Sequence, residues 1–286
     1  MKKFAFLRLH FVVFLWGFTA IIGKLITAPS MVIVFYRMSL TAVFLWLFTR
    51  LIRRKSIKVN RQLVFQLLGV GVIMALHWLC FFQSIKVANV SIALCCLSLS
   101  TLFASIIEPF IYKRKHDFSE VIIGFVIVLC ITLIFKVEFQ YKEGIFFGIL
   151  TALFGTIFSI LNGKLYGKTA SENIILYEML GGSVVITLFL LLNNNLTAIS
   201  EIGIQDFGLI ALLAGVFTAY PMLESVNLMK YISPFTLILT VNLEPIYGIL
   251  FAFIIFGKSE LMSPIFYIAS LVMILAIFVN GILKKG

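Results

Sequence analysis

Long apolar stretches alternate with short polar or helix-breaking segments along the whole chain. About 20 apolar residues, each rising 1.5 Å, are enough to cross the hydrocarbon core of a bilayer. The polar and helix-breaking residues divide the apolar stretches into ten predicted membrane spans. These spans are Phe6–Ile26, Met31–Leu51, Leu63–Ser84, Ala88–Tyr112, Glu120–Phe135, Gly144–Lys164, Asn173–Leu192, Asp206–Asn227, Ile232–Phe256 and Ser263–Leu283.

The two halves of the chain carry similar short motifs in the same order, 140 to 144 residues apart. The matching pairs are Gly23-Lys24-Leu25 with Gly163-Lys164-Leu165, Tyr36-Arg37-Met38 with Tyr177-Glu178-Met179, Lys86 with Lys230, and Leu99-Ser100-Thr101-Leu102-Phe103 with Leu243-Glu244-Pro245-Ile246-Tyr247. Each half holds five predicted spans, so the second half enters the membrane in the opposite direction. We therefore predict two five-helix repeats of inverted topology, residues 1–142 and 143–286. Such repeats are typical of secondary transporters with a midplane substrate site.

The composition is that of an all-α polytopic membrane protein. Of the 286 residues, 62% are hydrophobic and 12% are charged, with a mean hydropathy of +1.12, whereas soluble domains have about 45–50% and about 25%. The net charge of +11 is spread in short clusters between apolar stretches, which indicates topology and lipid contact and does not favour a nucleic-acid partner. The four cysteines lie inside apolar stretches. No nucleotide-binding loop, metal motif or nucleophile motif occurs, so we expect no cofactor and no enzyme.

The 23 Lys and Arg residues are unevenly distributed between the two sides of the predicted bundle. With a cytoplasmic N-terminus, 17 of them fall on the cytoplasmic side, five on the other side, and Arg37 lies inside a span. Because cytoplasmic loops carry an excess of Lys and Arg, we predict cytoplasmic N- and C-termini in a cell membrane of the cytoplasmic or inner type. The first apolar segment lacks a clear cleavage site, so we retain it as a span.

Three motifs give the chain a resemblance to a known family. They are Trp16-Gly17 followed by Lys24-Leu25, Leu97-Ser98-Leu99-Ser100-Thr101-Leu102-Phe103 in the fourth predicted span, and Leu243-Glu244-Pro245-Ile246-Tyr247 in the ninth, followed by Gly257-Lys258-Ser259-Glu260. With its ten predicted spans in two halves, the chain resembles the EamA family of the drug/metabolite transporter superfamily. The resemblance implies alternating-access transport of small metabolites, often outward, through a cavity lined by both halves. The family usually has Ser-Pro where this chain has Ser100-Thr101, so we expect the first half to lack a kink.

Glu244 and Pro245 lie in the middle of the ninth predicted span, where a charge is most costly. Proline removes a backbone donor and kinks a helix, so Pro245, and Pro221 in the eighth predicted span, are candidate hinges. Glu244 accepts either a substrate ammonium or a coupling proton in one interpretation. In the other it is structural, pairing with a cation or supporting the kinked backbone.

Arg37 and its repeat counterpart Glu178 lie nearer opposite faces of the predicted bundle. One interpretation is that they bind the two ends of a zwitterion, or an anion; another is that they form gate contacts that alternate. A third is that the aliphatic stem of Arg37 carries its charge to the membrane interface. Glu178 is shorter and less suited to that, which favours a functional role.

The remaining candidate site residues are aromatic or polar groups inside predicted spans. His77 either relays protons, because its charge changes near neutral pH, or forms a neutral hydrogen bond to a neighbouring helix. Trp16 either stacks on a substrate or packs, and the hydroxyl and amide groups either face a cavity or tie helices together. These candidates are His77, Trp78, Trp16, Tyr247, Ser98, Ser100, Asn242 and Tyr220.

The sequence as a whole predicts a secondary transporter of a small polar or amphiphilic metabolite. Its expected partners are that solute, the lipid bilayer and, as a coupling ion, protons. Two alternatives of the same fold are a lipid flippase, which needs a cavity open sideways to lipid, and a passive facilitator, which neither saturates nor accumulates solute.

Overall fold

The computed structural model describes residues 2–113, 115, 118–193 and 196–283; it is 85% helical, and the described residues form no strand. The helices are α1 (Lys2–Leu25), α2 (Ser30–Leu47), α3 (Arg61–Val87), α4 (Val90–Leu97), α5 (Leu99–Tyr112), α6 (Phe118–Val137), α7 (Lys142–Leu165), α8 (Ser171–Leu192), α9 (Thr197–Ser200), α10 (Ile204–Ala214), α11 (Tyr220–Leu228), α12 (Pro234–Val241), α13 (Glu244–Phe256) and α14 (Pro264–Leu283). A π-helical turn, Phe48–Ile52, extends α2, and a second, Gly215–Ala219, joins α10 to α11. The expected all-α class is thus observed in the described chain.

Seven stretches of the described residues are long and apolar enough to cross a membrane. They are Phe4–Leu25, Ser30–Ile52, Arg61–Val87, Val90–Tyr112, Phe139–Leu165, Ser171–Leu192 and Ile204–Leu228. Two shorter apolar helices, Ile122–Val137 and Pro264–Ala276, accompany them. The count of ten spans therefore stays a prediction, as does the orientation, part of which depends on Arg114, Lys284 and Lys285 outside the described residues.

Apolar side chains fill the interior of the bundle and also cover its outside. One core joins α1, α2, α3, α8, α10 and α11, and another joins α4, α6, α7 and α14. Large apolar side chains such as Phe110, Phe125, Leu188 and Leu250 are exposed around the bundle. Soluble proteins rarely expose apolar patches of more than a few hundred Å², so this surface is one that lipid covers.

The fourth predicted span, which we expected to lack a kink, is interrupted in its helical hydrogen bonding. Helix α4 ends at Leu97 and α5 begins at Leu99, so Ser98 interrupts the first half without a proline. The Ser98 N–H bonds to the Cys95 carbonyl at 3.1 Å and the Thr101 N–H to the Ser98 carbonyl at 3.3 Å. These tight three-residue turns replace the α-helical pattern at that point.

Glycines allow α3 and α8 to touch through their backbones. A Cβ placed on Gly71 of α3 would lie 2.0 Å from the Glu178 carbonyl oxygen. One placed on Gly181 of α8 would lie 2.3 Å from the Leu68 carbonyl oxygen. Small residues at such crossings let helix backbones approach closely in membrane proteins. The contact fixes Glu178 in the centre of the packed bundle.

One ion pair links distant parts of the chain at each end of the bundle. At the end where α1 stops, which we call the Lys24 end, Lys24 pairs with Glu260 at 2.7 Å. At the end where α1 begins, the Arg8 end, Arg8 pairs with Glu224. Helix α1 packs against α11 and so brings Arg8 to the Glu224 carboxylate.

Candidate functional site

A cavity of about 90 Å³ lies between helices of both halves of the chain. A cavity needs about 10–15 Å³ to hold one water molecule, so this one has room for several waters or a small solute. Its lining residues are Trp16, Thr19, Arg37, His77, Trp78, Phe81, Leu97, Ser100, Gly155, Thr156, Phe158, Ser159, Asn162, Met222, Ser225, Met229, Leu237, Ile238, Val241 and Glu244. By their positions along the helices, Phe81 and Arg37 mark its limit towards the Lys24 end, and Asn162 and Met229 its limit towards the Arg8 end.

Arg37 is the positive charge of the cavity, and it does not extend to an interface. Its side chain on α2 is 1% exposed, and its Nε donates to Thr218 Oγ1 at 2.8 Å. The guanidinium lies over the Trp78 ring, 3.8 Å from the ring centroid. Such a desolvated cation–π contact contributes about 2 kcal/mol or more. The Nη1 atom has no hydrogen-bond partner within the described part of the chain. Arg37 is therefore held in place on one side while retaining a free donor.

Glu244 is the negative charge of the same cavity. It begins α13, directly after the interruption at Asn242 and Leu243. Its side chain is 7% exposed, and the charges of Glu244 and Arg37 interact electrostatically. The ion pairs of the described residues do not include a direct pair between the two within 4.0 Å. The cavity therefore presents two opposite charges that do not neutralise each other by contact.

Two motifs of the resemblance, Trp16-Gly17 and Leu243-Glu244-Pro245-Ile246-Tyr247, meet in space. A Cβ on Gly17 of α1 would lie 3.0 Å from Tyr247 Cβ, and one on Gly248 of α13 would lie 3.2 Å from the Gly17 carbonyl oxygen. This close crossing of α1 and α13 brings Trp16 and Glu244 to the same cavity. In the Trp16-Gly17 pair, the glycine thus allows α13 to approach α1 closely, and the indole of Trp16 forms part of the cavity wall.

His77 and Glu178 occupy different positions relative to the cavity. His77 on α3 lines it, and its Nδ1 donates to the Thr151 carbonyl oxygen of α7 at 2.8 Å. Glu178 on α8 is 0% exposed and does not line the cavity. Its Oε2 accepts a hydrogen bond of 3.4 Å from Nδ2 of Asn162, which does line it. Asn162 thus stands between the cavity and a buried carboxyl group.

The structure brings six of the predicted candidates to the cavity wall and leaves the others outside it. The six are Glu244, Arg37, His77, Trp78, Trp16 and Ser100, and those outside the wall are Glu178, Tyr247, Ser98, Asn242, Tyr220, Pro221 and Pro245. Tyr220 is 47% exposed at the bundle surface, where it packs against Phe11. Pro221 and Pro245 lie in the first turns of α11 and α13, where a missing N–H is tolerated.

Asn242 joins the two interrupted segments. Its Nδ2 donates to Thr101 Oγ1 at 2.8 Å and to the Ile238 carbonyl oxygen at 2.9 Å. On the other side of the first interruption, Thr156 Oγ1 donates to the Ser100 carbonyl oxygen at 3.2 Å. Side chains thus satisfy carbonyl groups near both helix interruptions, as the membrane interior demands.

Sequence reasoning missed Thr218, Thr156 and Asn162. Thr218 follows Gly215 in the π-helical turn that joins α10 to α11, and such turns often occur at functional sites. Asn162 precedes the Gly163-Lys164 copy of the repeated motif, which was a signal in the sequence. Thr156 gave no signal, because a threonine in a membrane helix commonly bonds to its own backbone. Thr156 does so as well, to Ala152 at 2.8 Å.

A second, open recess of about 400 Å³ lies on the outside of the bundle between α2 and α8. Val43, Trp46 and Leu180 line it, together with Ser39 and other residues of the two helices. It shares no residue with the central cavity, and no charged residue lines it. It therefore does not open the charged cavity sideways to lipid.

Comparison with known proteins finds a family model that is similar to the first half of the chain. Residues 4–136 match the model of the EamA-like transporter family, which confirms the resemblance over that half. A solved structure titled "Crystal structure of protein" shares the fold, with a TM-score of 0.66 and 14% identity over 99% of each chain. No curated protein matches the chain. Its apolar helices make the chain a multi-pass membrane protein, and its first half is similar to a transporter family.

Proposed function

We propose, on the basis of the EamA-like transporter family to which its first half is similar, that the chain is a secondary transporter of a small polar or amphiphilic metabolite. The observation that carries the proposal is the central cavity, where Arg37 and Glu244 lie buried without a direct ion pair. An ionisable residue inside the membrane is expensive and typically marks a solute or ion pathway. A solute with charges of its own would compensate both groups.

We propose that the ten helical segments form two inverted repeats, residues 1–142 and 143–286. The fourth and ninth spans would be α4 with α5 and α12 with α13, both of which are interrupted. The interruptions at Ser98 and Asn242 lie 144 residues apart, within the offset of the sequence repeat. The Asn242–Thr101 hydrogen bond joins them. This symmetry supports a site where the two halves meet.

Alternating access requires that the cavity open to one side at a time. At the Lys24 end the Glu260 carboxylate of the ion pair is fully buried, whereas the Arg8–Glu224 pair at the Arg8 end is more exposed, and the cavity lining extends towards the Arg8 end. We propose that the Arg8 end is cytoplasmic in a cell membrane, as the distribution of Lys and Arg predicts. The structure would then be an inward-facing form. A substrate shifts the equilibrium only if it binds the two forms differently.

The two alternatives predict different measurements. A flippase needs a polar headgroup path open to lipid, whereas the recess between α2 and α8 carries no charge and is separate from the cavity. A passive facilitator of this fold would give solute flux that does not saturate. The opposite charges buried in a cavity between the two halves favour a carrier over both alternatives.

The proposal is tested by thermal unfolding of the purified protein with three matched ligands. Phenylalanine carries both charges, 3-phenylpropionate only the carboxylate and 2-phenylethylammonium only the cation. A ligand at about 100 times its Kd stabilises the folded state by about 2.7 kcal/mol. We expect stabilisation by the doubly charged ligand, lost in Arg37→Gln and Glu244→Gln and retained in the surface control Tyr220→Phe. Equal stabilisation of wild type and Glu244→Gln by every ligand would exclude the cavity as the site.

A further inference from the structure

We propose that Glu178 is a proton-binding site that exchanges its proton with the central cavity through Asn162. The inference rests on the proposed function, because this site would supply the coupling ion of the transporter. It is distinct from the pair of charges at Arg37 and Glu244, which would bind the solute. The proton binds at a carboxylate oxygen of Glu178 and leaves as a hydrated proton in the cavity, with no other bond formed or broken.

The geometry leaves two neighbouring acceptors without partners. Among the residues that the structure describes, Glu178 Oε1 has no hydrogen-bond partner, and neither has Asn162 Oδ1, although both atoms are buried. A carboxylate and an amide oxygen can only accept hydrogen bonds, whereas a protonated carboxyl group also donates one. A single proton on Glu178 would therefore supply the donor that this pair of side chains lacks. Without it, an ionised carboxylate would be buried with one weak hydrogen bond, which is strongly unfavourable.

No protein cation takes the place of that proton in the described chain. The helices packed around Glu178 are α2, α3, α7 and α11. Besides Glu178, the ionisable groups of these helices and of α8 itself are Tyr36 and Arg37 on α2; Arg61, His77, Cys80 and Lys86 on α3; Lys142, Glu143 and Lys164 on α7; Glu172 and Tyr177 on α8; and Tyr220 and Glu224 on α11. None of these forms an ion pair or a hydrogen bond with the Glu178 carboxyl group in the described residues.

The only polar route to Glu178 in the described structure starts at the cavity wall. The Glu178 side chain is 0% exposed, and Gly71 of α3 packs directly against the backbone of Glu178. Asn162 alone bonds to the carboxyl group, and it lines the cavity. A proton can thus enter or leave only from the side to which the cavity is open. This restriction is what couples a proton to alternating access.

Infrared spectroscopy of the purified protein in lipid tests the site without any substrate. Difference spectra are recorded between acidic and alkaline buffers for wild type, Glu178→Gln and the surface control Glu143→Gln. We expect wild type and Glu143→Gln to show a protonated-carboxyl band that disappears at alkaline pH. That band should be lost in Glu178→Gln. Asn162→Leu should retain the band but shift it more slowly on transfer to D₂O, because the relay is removed.

Two results would overturn the proposal. One is a Glu178→Gln spectrum identical to that of wild type. The other is a Glu178 band that persists at every pH at which the protein stays folded, since that carboxyl group would be permanently neutral and structural. If Glu178→Gln does not fold, Glu178→Asp replaces it, and the band should move in frequency. Because no ligand is needed, failure of this test leaves the solute proposal standing, and failure of ligand binding leaves the proton site standing.

Discussion

Glu260 holds the Lys24 end together, and replacing it by glutamine should destabilise the protein by about 2–3 kcal/mol. The carboxylate is 0% exposed and accepts hydrogen bonds from Val90 N at 3.1 Å, Ser91 N at 2.9 Å and Ser91 Oγ at 2.9 Å, besides its ion pair with Lys24. Hydrogen bonds to charged groups contribute about 1 kcal/mol more each than neutral ones. Three such bonds at the start of α4 give the estimate.

Lys24 should matter less than these three bonds. Its side chain is 25% exposed, so its ion pair is partly screened by water, and exposed pairs typically contribute about 0–1 kcal/mol. We therefore expect Lys24→Met to cost about 1 kcal/mol or less. Glu260→Ala should cost more, about 2–6 kcal/mol, because it leaves the N–H groups of Val90 and Ser91 buried without a partner, at about 1–3 kcal/mol each.

Denaturant unfolding in detergent micelles measures these differences, with Glu201→Gln as the matched control. Glu201 is exposed in the loop after α9, and surface substitutions usually change stability by less than about 0.5 kcal/mol. A Glu260→Gln variant as stable as this control would refute the reasoning. So would a Lys24→Met variant less stable than Glu260→Gln, since the ion pair and not the helix start would then dominate.

Substitutions at two further contacts test the packing. Gly71→Ala should destabilise the protein by about 1–3 kcal/mol, because its Cβ would meet the Glu178 carbonyl oxygen at 2.0 Å. The control Gly69→Ala, whose Cβ would have nothing within 4 Å, should stabilise it by up to about 1 kcal/mol. Equal effects of the two substitutions in denaturant unfolding would contradict the close α3–α8 contact. Asn242→Leu should cost about 1–3 kcal/mol by leaving polar partners unpaired. A double-mutant cycle with Thr101→Val should be non-additive, and additive losses would show that the 2.8 Å bond contributes nothing.

The helical architecture could be predicted because membrane helices satisfy their own backbone groups. Hydropathy alone therefore locates them, and the bounds of α3 and α8 differ from the predicted spans by three residues or fewer. Local sequence carries this information.

Features that depend on distant parts of the chain could not be predicted. The partner of Glu224 is Arg8, 216 residues away in sequence, and only the packing of α1 on α11 brings them together. The break at Ser98 has no proline to announce it, and its backbone pattern is completed by Thr156 of α7. Tyr220 was predicted for the site as an aromatic group inside a predicted span, but its ring lies at the bundle surface against Phe11 of α1.

The central claim is that Arg37 and Glu244 bind a solute that the protein exchanges across the membrane. Counterflow in proteoliposomes tests it most directly, with labelled phenylalanine, 3-phenylpropionate and 2-phenylethylammonium as probes and Tyr220→Phe as control. We predict saturable exchange of the doubly charged probe by wild type and by the control, and none by Glu244→Gln. Exchange by Glu244→Gln at the wild-type rate, or wild-type flux that never saturates, would contradict the account.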